Sequence, residues 1–586
     1  MAYAERRDGR SCCLARELRC AGVLLVFVLC LSLGRVAAGD DGKATFVDHS
    51  LLIAPVYPCT WPSYPFPRFQ ITHERTIGPA SAYNIDVLLI DGNTGTQLDV
   101  PPHSVARPEL KREKSGPLGL AYTDKIEPWQ FGGEACVVDV RDLLDKSALD
   151  KTDKGTSPLV RPEHVERFEK QHRKLRFGDV ALFRSDYTDR FYRPLPEGRR
   201  FIADVLDRKA VGYPDPDPDC MELLAKRGVM TLGTDSASMG PLPDLAEPTH
   251  YAGLKHGMIW TEGATNLGAL SPTGAFYILL GPRHEGGPYS EGRAFSIVGG
   301  ELPKRLIEAC KNKRAVDLSP TLSPKFPLTS PGNRTGEHRQ TYLKIDFLYS
   351  DYLDMWHHGH LMDATAGTHL VPPAYALPPD GAKVNYAAEV RGWLEEYEKK
   401  YGPRGTSGMT TEKVPIEWTC GPLRVIDVRS LVGSTKRQEW PASPEITPAH
   451  IQAAEKAAGP LKPGDVVVFQ TGHLDRYLRP QPHDAGVWAD PLAGKSEGWP
   501  AVGADAILYL KSKGIRCVAT DAPDLGGVDP RRALMTYWAL GSREMVGVEF
   551  LHNLDQAPRD KDAYFLFAAV KVRDCHGGPG RAIVLW

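Results

Sequence analysis

The sequence predicts an α/β protein built from two tandem copies of one strand-rich unit. Three observations carry this. Short Val/Ile/Leu-rich runs recur at 84–91, 136–140, 179–184 and 229–233, as strands do. Longer segments at 219–227 and 389–399 have the composition and length of helices. The same short patterns also return in the same order in the second part of the chain. Two domains are expected, at 44–308 and 312–586.

The repeat can be followed element by element. Asp48-His49-Ser50 precedes a Pro-rich loop, and Asp317-Leu318-Ser319 precedes another. Asn93-Thr94-Gly95-Thr96-Gln97 is answered by Thr365-Ala366-Gly367-Thr368-His369, and each is followed by a Pro-Pro pair. Gly178-Asp179-Val180 opens an apolar run matched by the one from Gly464-Asp465-Val466. Thr234-Asp235 corresponds to Thr520-Asp521, and Glu262 with Asn266-Leu267 to Glu549 with Asn553-Leu554. The separation drifts from about 269 to about 290 residues, as loop insertions produce. Thr234-Asp235-Ser236 lacks a nucleophile elbow and reads as a turn after a strand.

Length and composition narrow the function classes. A chain of 586 residues exceeds one ordinary core. Hydrophobic residues at 42% and charged residues at 25% are globular values, arguing against disorder or a polytopic membrane protein. A net charge of -2 provides no positive field for phosphate backbones, so no nucleic-acid partner is expected. No glycine fingerprint for a dinucleotide, Walker loop, H-E-x-x-H or G-x-S-x-G is present.

Residues 1–39 read as a secretory signal peptide: Arg6, Arg7, Arg10, Arg16 and Arg19 precede the apolar run Ala21 to Leu33, and Ala37, Ala38 and Gly39 follow. Export and secretion are the expectation, with no stable membrane insertion after leader removal; a retained single-span anchor is the alternative. Seven cysteines lie beyond the leader, far apart, and export permits long-range disulfides among them. Asn333-Arg334-Thr335 is a glycosylation sequon.

The candidate chemistry lies in the first half. Asp99 and His103 flank Val100-Pro101-Pro102, whose prolines stiffen the segment. Gly95 permits close approach of backbone to a ligand. His250 and Glu262 bracket a helix-like stretch, Ala252 to Met258. Asp, His and Glu are oxygen and nitrogen ligands for zinc or manganese. The loop 55–67, with Trp61, Tyr64 and Phe66, reads as a packed surface loop or as an aromatic lid over a pocket. His357, His358 and His360 form a local histidine cluster, expected on a solvated loop, with a metal-binding cluster as the alternative.

Both halves resemble the cyclase family that includes bacterial kynurenine formamidases and isatin hydrolases. Its signature, H-x-G-T-H-x-D-x-P-x-H, aligns with Asn93 to His103, and its later His, Glu and Asn-Leu with His250, Glu262 and Asn266-Leu267. The resemblance implies a swivelling β/β/α fold in each half and, because family members are usually dimers, an intrachain pseudo-dimer, monomeric or further assembled. It implies metal-assisted hydrolysis of a small amide, lactam or related cyclic substrate. One divalent ion, manganese or zinc, is expected on Asp99, His250 and Glu262, with Asn93 and Gln97 adding carbonyl oxygens. His103 is expected to act as general acid or base, and His250 joins it in the catalytic set.

Asn93 and Gln97 replace the first two signature histidines, and this departure opens two alternatives. One is a metal-independent lyase or cyclase using His103 and His250; the other is a secreted non-catalytic ligand-binding protein. The second half departs further, with Thr365, His369, Val371 and Tyr375 at the signature positions and Tyr537 at the later His. It reads as a degenerate copy that lends residues to the first-half pocket.

Overall fold

The computed structural model describes residues 43–62, 67–330, 342–350, 355–559 and 562–586. Residues 1–39, read above as a signal peptide, Tyr64, Phe66 and the sequon at Asn333 lie outside them. Among the described residues no helix is long and apolar enough to cross a membrane.

Each half is built on one mixed sheet. In the first the strand order is Thr45–Asp48, Arg293–Val298, Phe276–Leu280, Gly132–Asp139, Asp179–Arg184, Thr231–Thr234, Ile259–Glu262, Gln97–Asp99 and Tyr289–Glu291. In the second it is Ala315–Asp317, Gly578–Leu585, His369–Val371, Val546–Glu549, Cys517–Thr520, Val466–Gln470, Cys420–Asp427 and Tyr564–Ala569. There Gly578–Leu585 also pairs with Tyr564–Ala569, so the order returns on itself. The central strands are parallel to their neighbours and buried on both faces, which is why they read as unbroken apolar runs. All five residues of Val466–Gln470 are buried, each aliphatic or aromatic one stabilising the fold by about 1.5–3 kcal/mol.

Helices cover the sheets through apolar stripes. Pro218–Lys226 buries Cys220, Met221 and Leu224, and its first turn is capped by Asp217 accepting from the Cys220 amide at 2.8 Å. Pro530–Ser542 is capped in the same way by Asp529. Such caps contribute about 1 kcal/mol each. The predicted helix at 389–399 is part of Ala388–Tyr401. His250 does not bracket a helix; it lies inside Ala246–Leu254, because the helix starts earlier than the apolar stretch suggested.

The repeat is visible in backbone detail. Gly95 and Gly367 both have positive φ, 73° and 61°, in the turns before Gln97–Asp99 and His369–Val371. A Cβ on Gly95 would meet Ile53 at 2.6 Å, so this glycine serves the turn and its packing on Ile53. Asn266 and Asn553 occupy left-handed conformations at φ 57° and 59°, a region asparagine tolerates. Asp235 accepts from the Ser185 amide and hydroxyl and the Asp186 amide. Asp521 holds Thr471 and Gly472 through the same contacts, so both aspartates staple adjacent strand ends.

A four-stranded antiparallel sheet takes one hairpin from each half, in the order Tyr342–Ser350, Met355–Asp363, Ile85–Asp91, Gln70–Arg75. Gly359 pairs with Asp91 and His360 with Ile90. This corrects the expectation for His357, His358 and His360: they lie in a strand and are buried, not on a solvated loop. The predicted boundary near 308–312 falls at the end of helix Leu302–Lys311. All seven cysteines beyond the leader are buried and none is in a disulfide.

Candidate metal centre

Two adjacent antiparallel strands, one helix and one turn bring the first-half residues together. Gln97–Asp99 pairs with Ile259–Glu262 so that Gln97 stands opposite Glu262 and Asp99 opposite Trp260. His103 ends the 3-10 turn Pro101–His103, whose prolines lead directly out of the Asp99 strand. Helix Ala246–Leu254 adds His250, with Nε2 3.5 Å from both Asp99 Oδ2 and Glu262 Oε1. His103 Nε2 is 3.8 Å from Asp99 Oδ2. All four side chains are buried.

The ligand atoms of Asp99, His103 and His250 lie within 4.8 Å of one another, close enough to share an ion. His103, expected as a proton carrier, thus stands within the cluster itself. Asp99 Oδ1 is buried without a hydrogen-bond partner among the described residues, whereas Oδ2 accepts from Trp260 Nε1 at 3.1 Å. Glu262 is better satisfied. Its Oε1 accepts from the Met239 amide at 2.6 Å and Trp260 Nε1 at 3.3 Å, and its Oε2 from Gln97 Nε2 at 2.6 Å. Gln97, expected to add a carbonyl oxygen, therefore uses its amide NH2 to hold Glu262. Asn93 lines the same cavity, its backbone amide bound to Asp91 at 3.0 Å.

The electrostatics call for positive charge. Burial, then the neighbouring Glu262 carboxylate, pushes the Asp99 carboxyl up to about 8. Burial alone would lower His250, but the Asp99 and Glu262 carboxylates outweigh it and raise the imidazole to about 10. His250 Nδ1 donates to the Ala246 carbonyl at 2.7 Å. Its Nε2 therefore faces two carboxylate oxygens with a lone pair unless a proton or a metal ion lies among them.

The centre opens on a cavity of about 500 Å³, within the usual range for a small-molecule site. Leu51, Trp61, Phe201, Ile202, Tyr213 and Leu242 form much of its apolar wall. Trp61 is the described residue of the expected aromatic lid. His357 lines the cavity from the second half, its ring 5.6 Å from that of His103. Burial, then the charge on His250, holds the His357 imidazole down at about 4. Sequence reading missed His357 because only strand pairing between the halves brings it here. A triplet of histidines in a 9-residue strand was the one available sign.

The corresponding second-half positions pack differently. His369 stands opposite Glu549 as Gln97 does opposite Glu262, and Val371 opposite Gly547. Glu549 accepts from Tyr537 OH at 2.7 Å, the Leu525 amide at 2.8 Å and His369 Nε2 at 3.1 Å. Tyr83, Tyr375 and Tyr537 pack with ring centroids 5.0 to 5.8 Å apart, Tyr83 coming from the first half.

This arrangement, doubled and divergent, is that of a protein family. The family model described as "Putative cyclase" matches residues 49–241 and again 316–526, and the chain belongs to this family as a tandem duplication. The chain is 29% identical over 238 residues to an isatin hydrolase of Roseibium aggregatum, covering 36% of this chain and 86% of the relative. It is 26% identical over 264 residues to a kynurenine formamidase of Salinibacter ruber, covering 44% and 95%. Among solved structures, isatin hydrolase A from Ralstonia solanacearum matches with a TM-score of 0.35 and 20% identity, over 44% of this chain and 92% of that one.

Proposed function

We propose that the first half is a metal-assisted hydrolase of a small amide, lactam or related cyclic substrate, and that one divalent ion, zinc or manganese, sits on Asp99 and His250. The observation that carries this is the convergence of two carboxylates on a histidine nitrogen whose other nitrogen is committed to a carbonyl, beside an unpartnered Asp99 oxygen. That donor set fits a divalent ion, with Glu262 within reach as a further oxygen ligand. Such an ion, when bound, supplies polarisation of a carbonyl and a lowered pKa for bound water.

The chain's own residues do the rest. The Ala246 carbonyl fixes the tautomer and orientation of His250. Gln97, Met239 and Trp260 hold Glu262 in place. His103 carries the proton between the attacking water and the leaving nitrogen, the transfer imidazole performs near neutral pH. The apolar wall around Trp61 and Phe201 receives a planar ring and excludes bulk water. The similarity to an isatin hydrolase and a kynurenine formamidase supports the amide or cyclic-amide class.

A second reading rests on one observation: His250 Nε2 stands 3.5 Å from both the Asp99 and Glu262 carboxylates, so a proton can occupy the position assigned to the ion. His103 and His250 would then form a metal-independent acid–base pair. The deciding experiment is elemental mass spectrometry and amide or lactam turnover on the mature chain, beside Asp99→Ala/His250→Ala. An ion lost from this centre together with turnover supports the hydrolase. Turnover that survives complete metal removal favours the acid–base pair, and silence toward every amide and lactam, with a ligand still bound, favours a binding protein.

A further inference from the structure

A second cluster of metal-ligand side chains lies where the two halves meet. His284 and Glu291 come from the first half and His360 from the second; their ligand atoms lie within 4.8 Å of one another, and all three residues are fully buried. His284 Nε2 donates to Glu291 Oε1 at 3.2 Å, and its Nδ1 meets Tyr342 OH at 2.9 Å. The His360 ring stacks on that of His284 with centroids 3.9 Å apart.

What sets this cluster apart is what it leaves unsatisfied. Both ring nitrogens of His360 are buried with no hydrogen-bond partner among the described residues, and so are Glu291 Oε2 and His358 Nδ1. A neutral imidazole always carries one N–H and one lone pair, so a buried His360 with neither paired to another described residue is an unusual arrangement. The adjacent His358 has its Nε2 tied to the Tyr289 carbonyl at 2.8 Å, which turns its Nδ1 lone pair free. Tyr342 OH can accept from His284 Nδ1 as readily as donate, so His284 can release Nε2 to an ion without losing its partner.

We infer that His284, Glu291 and His360 form a structural site for a late first-row divalent ion, zinc foremost, that clamps the second-half hairpin to the first-half sheet. Nitrogen-rich donors favour zinc, cobalt or nickel over magnesium or calcium. Donors about 2 Å from a tetrahedral ion stand roughly 3.3 Å apart, so the cluster closes by ring adjustments of about an ångström. Full burial of all three ligands gives a substrate no access, so the ion's role here is structural. The clamp also bears on the first centre, because strand Tyr289–Glu291 pairs with Gln97–Asp99, placing Glu291 opposite Gln97 and Tyr289 opposite Asp99.

The test uses the full mature chain carrying Asp99→Ala/His250→Ala, which empties the other centre, dialysed against chelator-buffered zinc. Elemental mass spectrometry should find one zinc per chain, and adding His360→Leu should remove it, with at least a tenfold drop in occupancy. A folded double variant that holds no zinc overturns the inference, as does zinc that survives His360→Leu. Should that variant fail to fold, anomalous scattering at the cobalt edge from crystals of cobalt-loaded wild-type chain decides. A peak among His284, Glu291 and His360 supports the clamp; a water or an empty cluster there, at saturating cobalt, overturns it. Because zinc here is counted without the Asp99–His250 centre, a failure of the hydrolase reading leaves this result standing.

Discussion

In the first half, the strand pair Gln97–Asp99 and Ile259–Glu262 presents Asp99 and Glu262 to His250 beside an open cavity. In the second, the same pair of strands presents Val371 and Glu549 to Tyr537, packed among two further tyrosines. The backbones agree down to the left-handed Gly and Asn positions, yet the partners of the shared glutamate differ. Glu549 accepts from three donors of the chain itself, one of them His369. Around His250, two carboxylates and an unpartnered oxygen remain, a set that a proton or a metal ion completes. One fold thus gathers Asp99, His103 and His250 beside a cavity in one copy and packs three tyrosine rings together at the corresponding place in the other, the difference lying in a few side chains.

The largest effect that tests this contrast is His103→Ala. Turnover should fall about 10²- to 10⁴-fold, the usual range for a lost proton carrier, with circular dichroism unchanged. Its counterpart Tyr375→Ala should leave kcat within about twofold while lowering the melting temperature, since that residue only packs. Equal losses of turnover from both changes would end the distinction between the halves.

Converting the second copy should fail. Val371→Asp restores a carboxylate, but among Tyr375 and Tyr537 it is buried without a cation, at a cost of about 3 kcal/mol or more. Denaturant melts should show the loss, and metal analysis should show no additional ion. Gln97→Ala sharpens the assignment of Gln97 as the group that holds Glu262. A supporting residue of this kind is worth about 10- to 100-fold in metal affinity, measurable by competition with a chelator. His357→Ala reports whether the second half contributes to the first-half site: we expect kcat to fall by about tenfold with metal content unchanged.

The smallest effect is one of pH at the junction. Asp86, on the first-half hairpin, accepts from the His576 amide at 2.5 Å and meets His73 Nδ1 at 2.6 Å. Burial opposes its ionisation, but the His576 contacts outweigh this and hold its carboxyl below the ordinary range. A carboxyl lowered in the folded state contributes stability that is present above its unfolded pKa near 4 and is lost as pH falls through the folded value. Melting temperature should therefore drop on acidification below about pH 4, and less so in Asp86→Asn.

Much of this molecule was legible in its residues. The Val/Ile/Leu runs became strands because central strands buried on both faces carry no alternation to obscure them. Asp99, His103, His250 and Glu262 could be picked out because the resemblance to the cyclase signature and to its later His, Glu and Asn-Leu segment falls on them; their spacing alone carries little. Gln97 was harder: its residue type says that it bonds, and only the strand register opposite Glu262 says to what.

By itself the sequence determined the duplication, the α/β class and the family, because local patterns repeat in order and need no partner to be read. Tertiary structure alone decided where the histidines of Met355–Asp363 go. A strand turns alternate residues to opposite faces, and pairing Met355–Asp363 with Ile85–Asp91 carries His357 to the first-half cavity and His360 to the buried cluster with His284. Taken alone, that triplet has the polarity of a solvated loop. Its burial follows from a sheet shared by strands more than 250 residues apart, and no local pattern encodes such a pairing.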